Sequence, residues 1–208
     1  MHSKTIQTGG KSVKETKKVL VMIHGRGARA GDILRLAPDL NLKDFALIAP
    51  QATNHTWYPY SFMAKPKDNE PWLTSALDLV KEIIEEVKSY GIKAENIYFL
   101  GFSQGACLTL ESVAWNAEKF GGVIAFTGGL IGDTIDTSKY SGDFNGTPIF
   151  IGSSDPDMHV PVERVHESAQ VLEQMNASVT NIIYPGMGHT INQDEFDIAN
   201  RILSGKPA

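Results

Sequence analysis

The sequence predicts one α/β domain, built on a mostly parallel β-sheet with helices on both faces. Three observations carry that expectation. Short apolar runs alternate along the chain with segments whose apolar residues recur at helical spacing. The strand-like runs are near-continuously apolar rather than alternating, as in strands buried on both faces. The chain has 208 residues, 42% of them hydrophobic, which suffices for one sizeable core and is cramped for two.

The elements follow in order. The opening residues 1–16 hold "KTIQTGG", expected as an antiparallel edge strand. Lys17 to Ile23 is a β-branched run that stops at His24-Gly25, and Phe45 to Pro50 is a second short strand. The segment Gly31 to Leu40 between them is weakly helical. Pro71 to Gly91 is the clearest helix. Leu73, Ala76, Leu77, Val80, Ile83, Ile84 and Val87 recur on one face, proline suits the start and glycine the stop. Then come a strand at "NIYFL", a sharp corner, and a helix from about Ser103 to Trp115. "GVIAFTG" and "TPIFIGS" are further buried strands. Val160 to Asn176 reads as a helix, "SVTNIIYPG" as a strand and "DEFDIANRIL" as a closing helix. Residues 51–70 and 127–146 break this rhythm. Loops that long inside a compact domain are usually functional or disordered, and both are expected on the substrate side.

Composition narrows the function. The formal net charge is −5 with 21% charged residues, which argues against nucleic acid as a partner. Cys107 is the single cysteine, so no internal disulfide forms, and a reducing, cytoplasmic setting is expected. The polar, basic start carries no apolar signal-peptide core, and no run approaches membrane-spanning length, so no membrane anchoring is expected. A homodimer is compatible with this composition. No metal is expected, because no His, Cys or carboxylate set has ligand spacing.

The corner carries the chemistry. Gly101-Phe102-Ser103-Gln104-Gly105 matches G-x-S-x-G between a strand and a helix. A nucleophile raised on such a turn needs neighbours without bulk two residues to either side, and the following helix aims N–H groups at a developing oxyanion. A serine hydroxyl also needs a base, and the base needs an acid to fix its tautomer. His189, in "YPGMGHTI", is the one histidine beyond the last predicted strand and is the expected base. The acid should follow "TPIFIGS", where Asp155 and Asp157 both stand in "SSDPDMHVP". The residues alone do not separate them. The Gln104 N–H is one natural oxyanion donor. "HGRG", with the Arg26 N–H, is the expected source of the other, although "GRGARAG" also admits a phosphate-cradle reading.

Four fragments in this order, "MIHGRG", "GFSQGA", "DPDMHVP" and "GMGHTI", resemble the phospholipase/carboxylesterase family of α/β-hydrolases, which includes the acyl-protein thioesterases. The likeness runs from Val19 to the last helix. It implies an α/β-hydrolase fold, no cofactor, and cleavage of a small-molecule carboxylic ester or thioester. It assigns the acid to Asp157, four residues before Pro161. It matches the elbow glutamine to Gln104 and the early oxyanion residue to Arg26. The chain departs from the family's pattern at Arg26, at Ser154-Asp155 and in the aromatic "QATNHTWYP". Those departures weigh against protein deacylation more than against ester hydrolysis. Trp57, Tyr58, Phe62, Met63 and Leu130 are the expected substrate-binding residues. His24 is expected to brace the oxyanion loop, Cys107 to be a buried small hydrophobe, and His159 and His166 to lie on the surface. Arg26 and Arg29 hint at an anionic acyl group. A lysophospholipase or an acyl-protein thioesterase is the alternative enzyme. A non-catalytic binding protein on the same fold is the alternative of another class.

Overall fold

The structure, a computed structural model, describes residues 1–206. Seven strands form one sheet in the order β1-β3-β2-β4-β5-β6-β7. They are β1 (Ile6–Gly10), β2 (Lys18–Ile23), β3 (Phe45–Pro50), β4 (Ile97–Phe102), β5 (Gly122–Phe126), β6 (Pro148–Asp155) and β7 (Ser178–Pro185). β1 pairs antiparallel with β3, as the edge strand predicted at the N-terminus, and every other pairing is parallel. The carboxyl ends of β2 to β7 therefore share one edge, where an open α/β sheet gathers its functional loops.

The α-helices among the described residues are α1 (Ala30–Leu34), α2 (Trp72–Ser89), α3 (Gln104–Trp115), α4 (Val162–Gln174) and α5 (Gln193–Leu203). Side chains alternate across a strand, so β2 divides its apolar residues between two cores. Val19, Val21 and Ile23 pack with α2, α3 and α4, whereas Leu20 and Met22 pack with α1 and α5. All five are fully buried, worth about 1.5–3 kcal/mol each relative to exposure. Burial on both faces is what a continuous apolar run requires, and it makes the sheet a rigid base for the loops at its edge.

The helix predicted from Pro71 to Gly91 buries the seven apolar residues expected of it, together with Leu79. It ends where Gly91 takes a left-handed φ of 82°. The weakly helical segment after β2 resolves into the short α1 and one 3₁₀ turn at Ala37–Asp39. Among the described residues, no helix is long and apolar enough to cross a membrane.

Candidate active site

The corner after β4 is as tight as its glycines suggest. A Cβ on Gly101 would strike the carbonyl of Gly105 and the Thr109 hydroxyl, and one on Gly105 would strike the carbonyls of Ile23 and His24. The two glycines thus let α3 lie against the ends of β4 and β2. Ser103 pivots between them at φ 55° and ψ −121°, a conformation that costs a non-glycine residue about 1–3 kcal/mol. Its N–H donates to the Phe126 carbonyl at 2.9 Å, which fixes the strained turn to β5.

Three predicted residues from distant parts of the chain meet here. The Ser103 Oγ lies 2.8 Å from His189 Nε2, and His189 Nδ1 lies 2.7 Å from Asp157 Oδ2. The Asp157 carboxylate is fully shielded from solvent, whereas the imidazole is 22% exposed. Burial alone would push this carboxyl up. The N–H groups of His159 and Val160, donating to Oδ1 at 2.8 and 2.9 Å, act with the imidazole to outweigh that, and its pKa lies below the ordinary carboxylate value. An ionised Asp157 accepts from Nδ1–H and leaves the Nε2 lone pair facing the serine. Asp155 instead ends β6 opposite Pro185 with its side chain exposed, so the pair left open by the residues divides by orientation.

His24 braces the loop after β2, as expected. It is buried, and desolvation lowers its pKa against the opposing pull of its bond to Gly25. The neutral ring accepts the Ala52 N–H at Nε2 (3.1 Å), so Nδ1 donates to the Gly25 carbonyl (2.7 Å). The side chains of the two expected oxyanion residues hold the aromatic loop that follows β3. Gln104 Oε1 accepts from the Trp57 N–H and the Thr56 hydroxyl, and its Nε2 donates to the Tyr58 carbonyl at 2.8 Å. Arg26 donates to the Thr56 hydroxyl and to the carbonyls of Pro59 and Tyr60. Arg29 caps α1 and does not line the cleft.

A cleft of about 630 Å³ opens over Ser103, walled by Arg26, Tyr58, Phe62, Phe102, Cys107 and Val160, among others. Of the residues expected to bind substrate, Tyr58 and Phe62 line this cleft. Trp57, Met63 and Leu130 do not. Trp57 is fully buried because its indole N–H is satisfied by the His24 carbonyl at 2.8 Å. Met63 packs against the core, and Leu130 lies within it. No residue of 127–146 lines the cleft, and Leu130 and Ile131 are held by Arg164 of α4 and Glu111 of α3, so the segment backs the site rather than lining it, against its expected substrate-side place.

Phe102 and His159 are among the cleft residues that the sequence does not announce. The Phe102 ring sits 5.2 Å from the His189 ring. The His159 ring, expected merely on the surface, is exposed but packs edge-on to His189 at 5.1 Å and lines the cleft. The usable signal was its spacing. A backbone N–H two residues after an aspartate can fold back onto the carboxylate, and that carries the side chain with it. Burial pushes the Cys107 thiol up to about 12, which makes it an inert wall.

The family model described as Phospholipase/Carboxylesterase matches residues 5–205. The chain belongs to the phospholipase/carboxylesterase family. The crystal structure of a phospholipase/carboxylesterase from Dyadobacter fermentans is 56% identical, superposes with a TM-score of 0.96, and is matched over 97% of both chains. A probable carboxylesterase, SOBER1-like, of Arabidopsis thaliana is 35% identical over 62% of this chain and 49% of its own length. The acyl-protein thioesterase 1 of Kluyveromyces lactis is 31% identical over 64% of this chain and 59% of its own. The chain thus spans about half to three fifths of these two curated relatives.

Proposed function

We infer that the protein is a serine hydrolase of small carboxylic esters that works through an acyl-enzyme. The observation that carries this reading is the continuous hydrogen-bonded line from Ser103 through His189 to Asp157. Ser103 Oγ attacks the ester carbonyl while its proton passes to His189 Nε2, and Asp157 stabilises the imidazolium. The oxyanion that forms is held by the N–H groups of Arg26 and Gln104. The tetrahedral intermediate collapses as Nε2 returns the proton to the leaving alcohol oxygen. Water, activated by the same imidazole, then releases the acid and restores the serine. These steps use side chains and backbone of this chain, together with water. Family membership supports the reaction class, and the single buried Cys107 suits a cytoplasmic setting.

The lysophospholipase or thioesterase alternative draws on the names of the family and of the Kluyveromyces relative. An acyl-chain series separates it, because a sharp preference for acetate or butyrate rules out a long-acyl substrate.

The decisive variant is Ser103→Ala. Removing the nucleophile from such a set costs about 10⁶ in kcat. Near-full esterase activity in the variant would refute the assignment.

A further inference from the structure

A second concavity, of about 400 Å³, also borders the imidazole. Ile33, Leu36, Phe102, Ile191 and Phe196 wall it, and His189 is in its lining. It shares Gly25, Ala28, Phe102 and His189 with the first cleft. The two cavities thus meet at the imidazole, with the Phe102 ring between them. They differ in what else they touch. Ser103, Arg26 and Gln104 line the first alone, and Thr190 and Ile191 line the second alone.

Given the serine-hydrolase reading, on which this inference rests, the tetrahedral carbon has four substituents to place. One is Ser103 Oγ, and a second is the oxyanion at the Arg26 and Gln104 N–H groups. The leaving oxygen must come to His189 Nε2, because that atom supplies its proton. A group carried on this oxygen extends past the imidazole, and the second cavity borders that ring. The acyl substituent then takes the first cleft, beside Ser103 and Cys107.

We propose that the cavity walled by Ile33, Leu36, Ile191 and Phe196 is the leaving-alcohol subsite, and that it selects esters of apolar, multi-carbon alcohols. Its walls are aliphatic and aromatic. Asp32 and Asp39 stand at its rim, and no lysine or arginine among the described residues lines it. An alcohol bearing a phosphate would meet like charge there and is disfavoured. That disposition counts against a glycerophospholipid leaving group.

The test is kinetic and uses unactivated esters, because simple alkyl alcohols leave with nearly the same intrinsic ease. On alkyl acetates from methyl to hexyl, kcat/KM rises about two- to four-fold per methylene up to about butyl, the scale for a methylene entering an apolar cleft. Leu36→Trp, which fills the cavity, lowers the butyl-to-methyl ratio about ten-fold. Leu36→Ala moves the optimum to a longer alcohol. Neither substitution shifts the ratio of methyl butyrate to methyl acetate, because the acyl group lies in the other cleft. Rates independent of alcohol length overturn the subsite, as do variants that move the acyl ratio instead of the alcohol ratio. If Leu36→Trp fails to fold, the wild-type and Leu36→Ala series still decide. Ser103→Ala, run in parallel, separates the two levels. Hydrolysis that survives this variant removes the serine-hydrolase reading and the subsite together. Hydrolysis that depends on Ser103 but is blind to the alcohol removes the subsite alone.

Discussion

The loops 51–70 and 127–146 look alike in sequence, since both are long and free of period, yet they have opposite fates. The first overhangs the cleft. It is pinned from below by Gln104, the residue next to Ser103, and from the side by Arg26. The second is welded to the body of the domain. Glu111, buried in α3, accepts from the Ile131 N–H, the Tyr140 hydroxyl and the Trp115 indole, and pairs with Lys139 at 2.7 Å. Arg164 of α4, also buried, donates to the carbonyls of Leu130, Gly132 and Asp133. In both cases a side chain on a helix satisfies main-chain groups of a loop that has no ladder of its own. What separates them is where the anchor stands. An anchor beside the serine makes a loop part of the site, and one two turns further along the same helix makes it part of the scaffold.

Breaking each anchor tests that distinction. The largest effect is expected from Glu111→Ala, which strips a buried carboxylate from four partners. It should lower unfolding free energy by about 3–5 kcal/mol, read by urea denaturation. The fraction that remains folded should keep its kcat/KM, and a selective loss of activity without loss of stability would contradict the scaffold role. Gln104→Ala keeps the backbone N–H of residue 104 but frees Thr56 to Tyr58. An expected fall of about 10- to 100-fold in kcat/KM, the scale for misplacing a positioned group by an ångström, should accompany a modest stability loss of about 1–3 kcal/mol. Unchanged kinetics would detach the first loop from catalysis.

The smallest effect concerns a buried carboxylate without such partners. Glu195 closes the N-terminal cap of α5 through Oε2, but its Oε1 is packed beneath Gly152 with no hydrogen bond. Burial pushes its pKa up to about 7 from an ordinary 4.5, against the Asn192 N–H, which pulls it down. A folded-state value above the unfolded one means that the native protein holds the extra proton between those two pH values. Stability therefore falls as pH rises from about 4.5 to 7 and is level in this respect outside that window. The shift bounds the loss at about 3 kcal/mol. The buried amide of Glu195→Gln takes back part of the gain, so the variant should be more stable than wild type by about 1–2 kcal/mol at pH 8 and no better at pH 4. Parallel pH profiles for the two proteins would disprove it.

Much of this was legible in the sequence, for a definable reason. Strand and helix periods are local, and so is the crowding at Gly101 against Gly105 and Thr109; the crowding at Gly105 comes from Ile23 and His24, far away in the chain, and only the G-x-S-x-G pattern announced it. The convergence of Ser103 with His189 was readable because parallel strands deliver every following loop to one edge. The choice between Asp155 and Asp157 was not readable from the residues. It depends on which side chain turns inward to meet the N–H groups of His159 and Val160, and the family resemblance chose the residue that does. The pocket was the least legible. Trp57 and Leu130 looked like wall residues, but the partners that bury them, the His24 carbonyl and the Ser168 and Arg164 side chains, lie 33 to 38 positions away. No local pattern reports such partners.

Phosphonate trapping tests most directly whether one hydroxyl, one imidazole and one carboxylate act as a unit. Folded protein treated with a fluorophosphonate should gain a single adduct, found by peptide mass spectrometry on the fragment that contains Ser103. His189→Ala should slow that labelling by orders of magnitude, with its fold intact by circular dichroism. Folded wild-type protein that stays unlabelled, or an adduct on any other residue, would contradict the account.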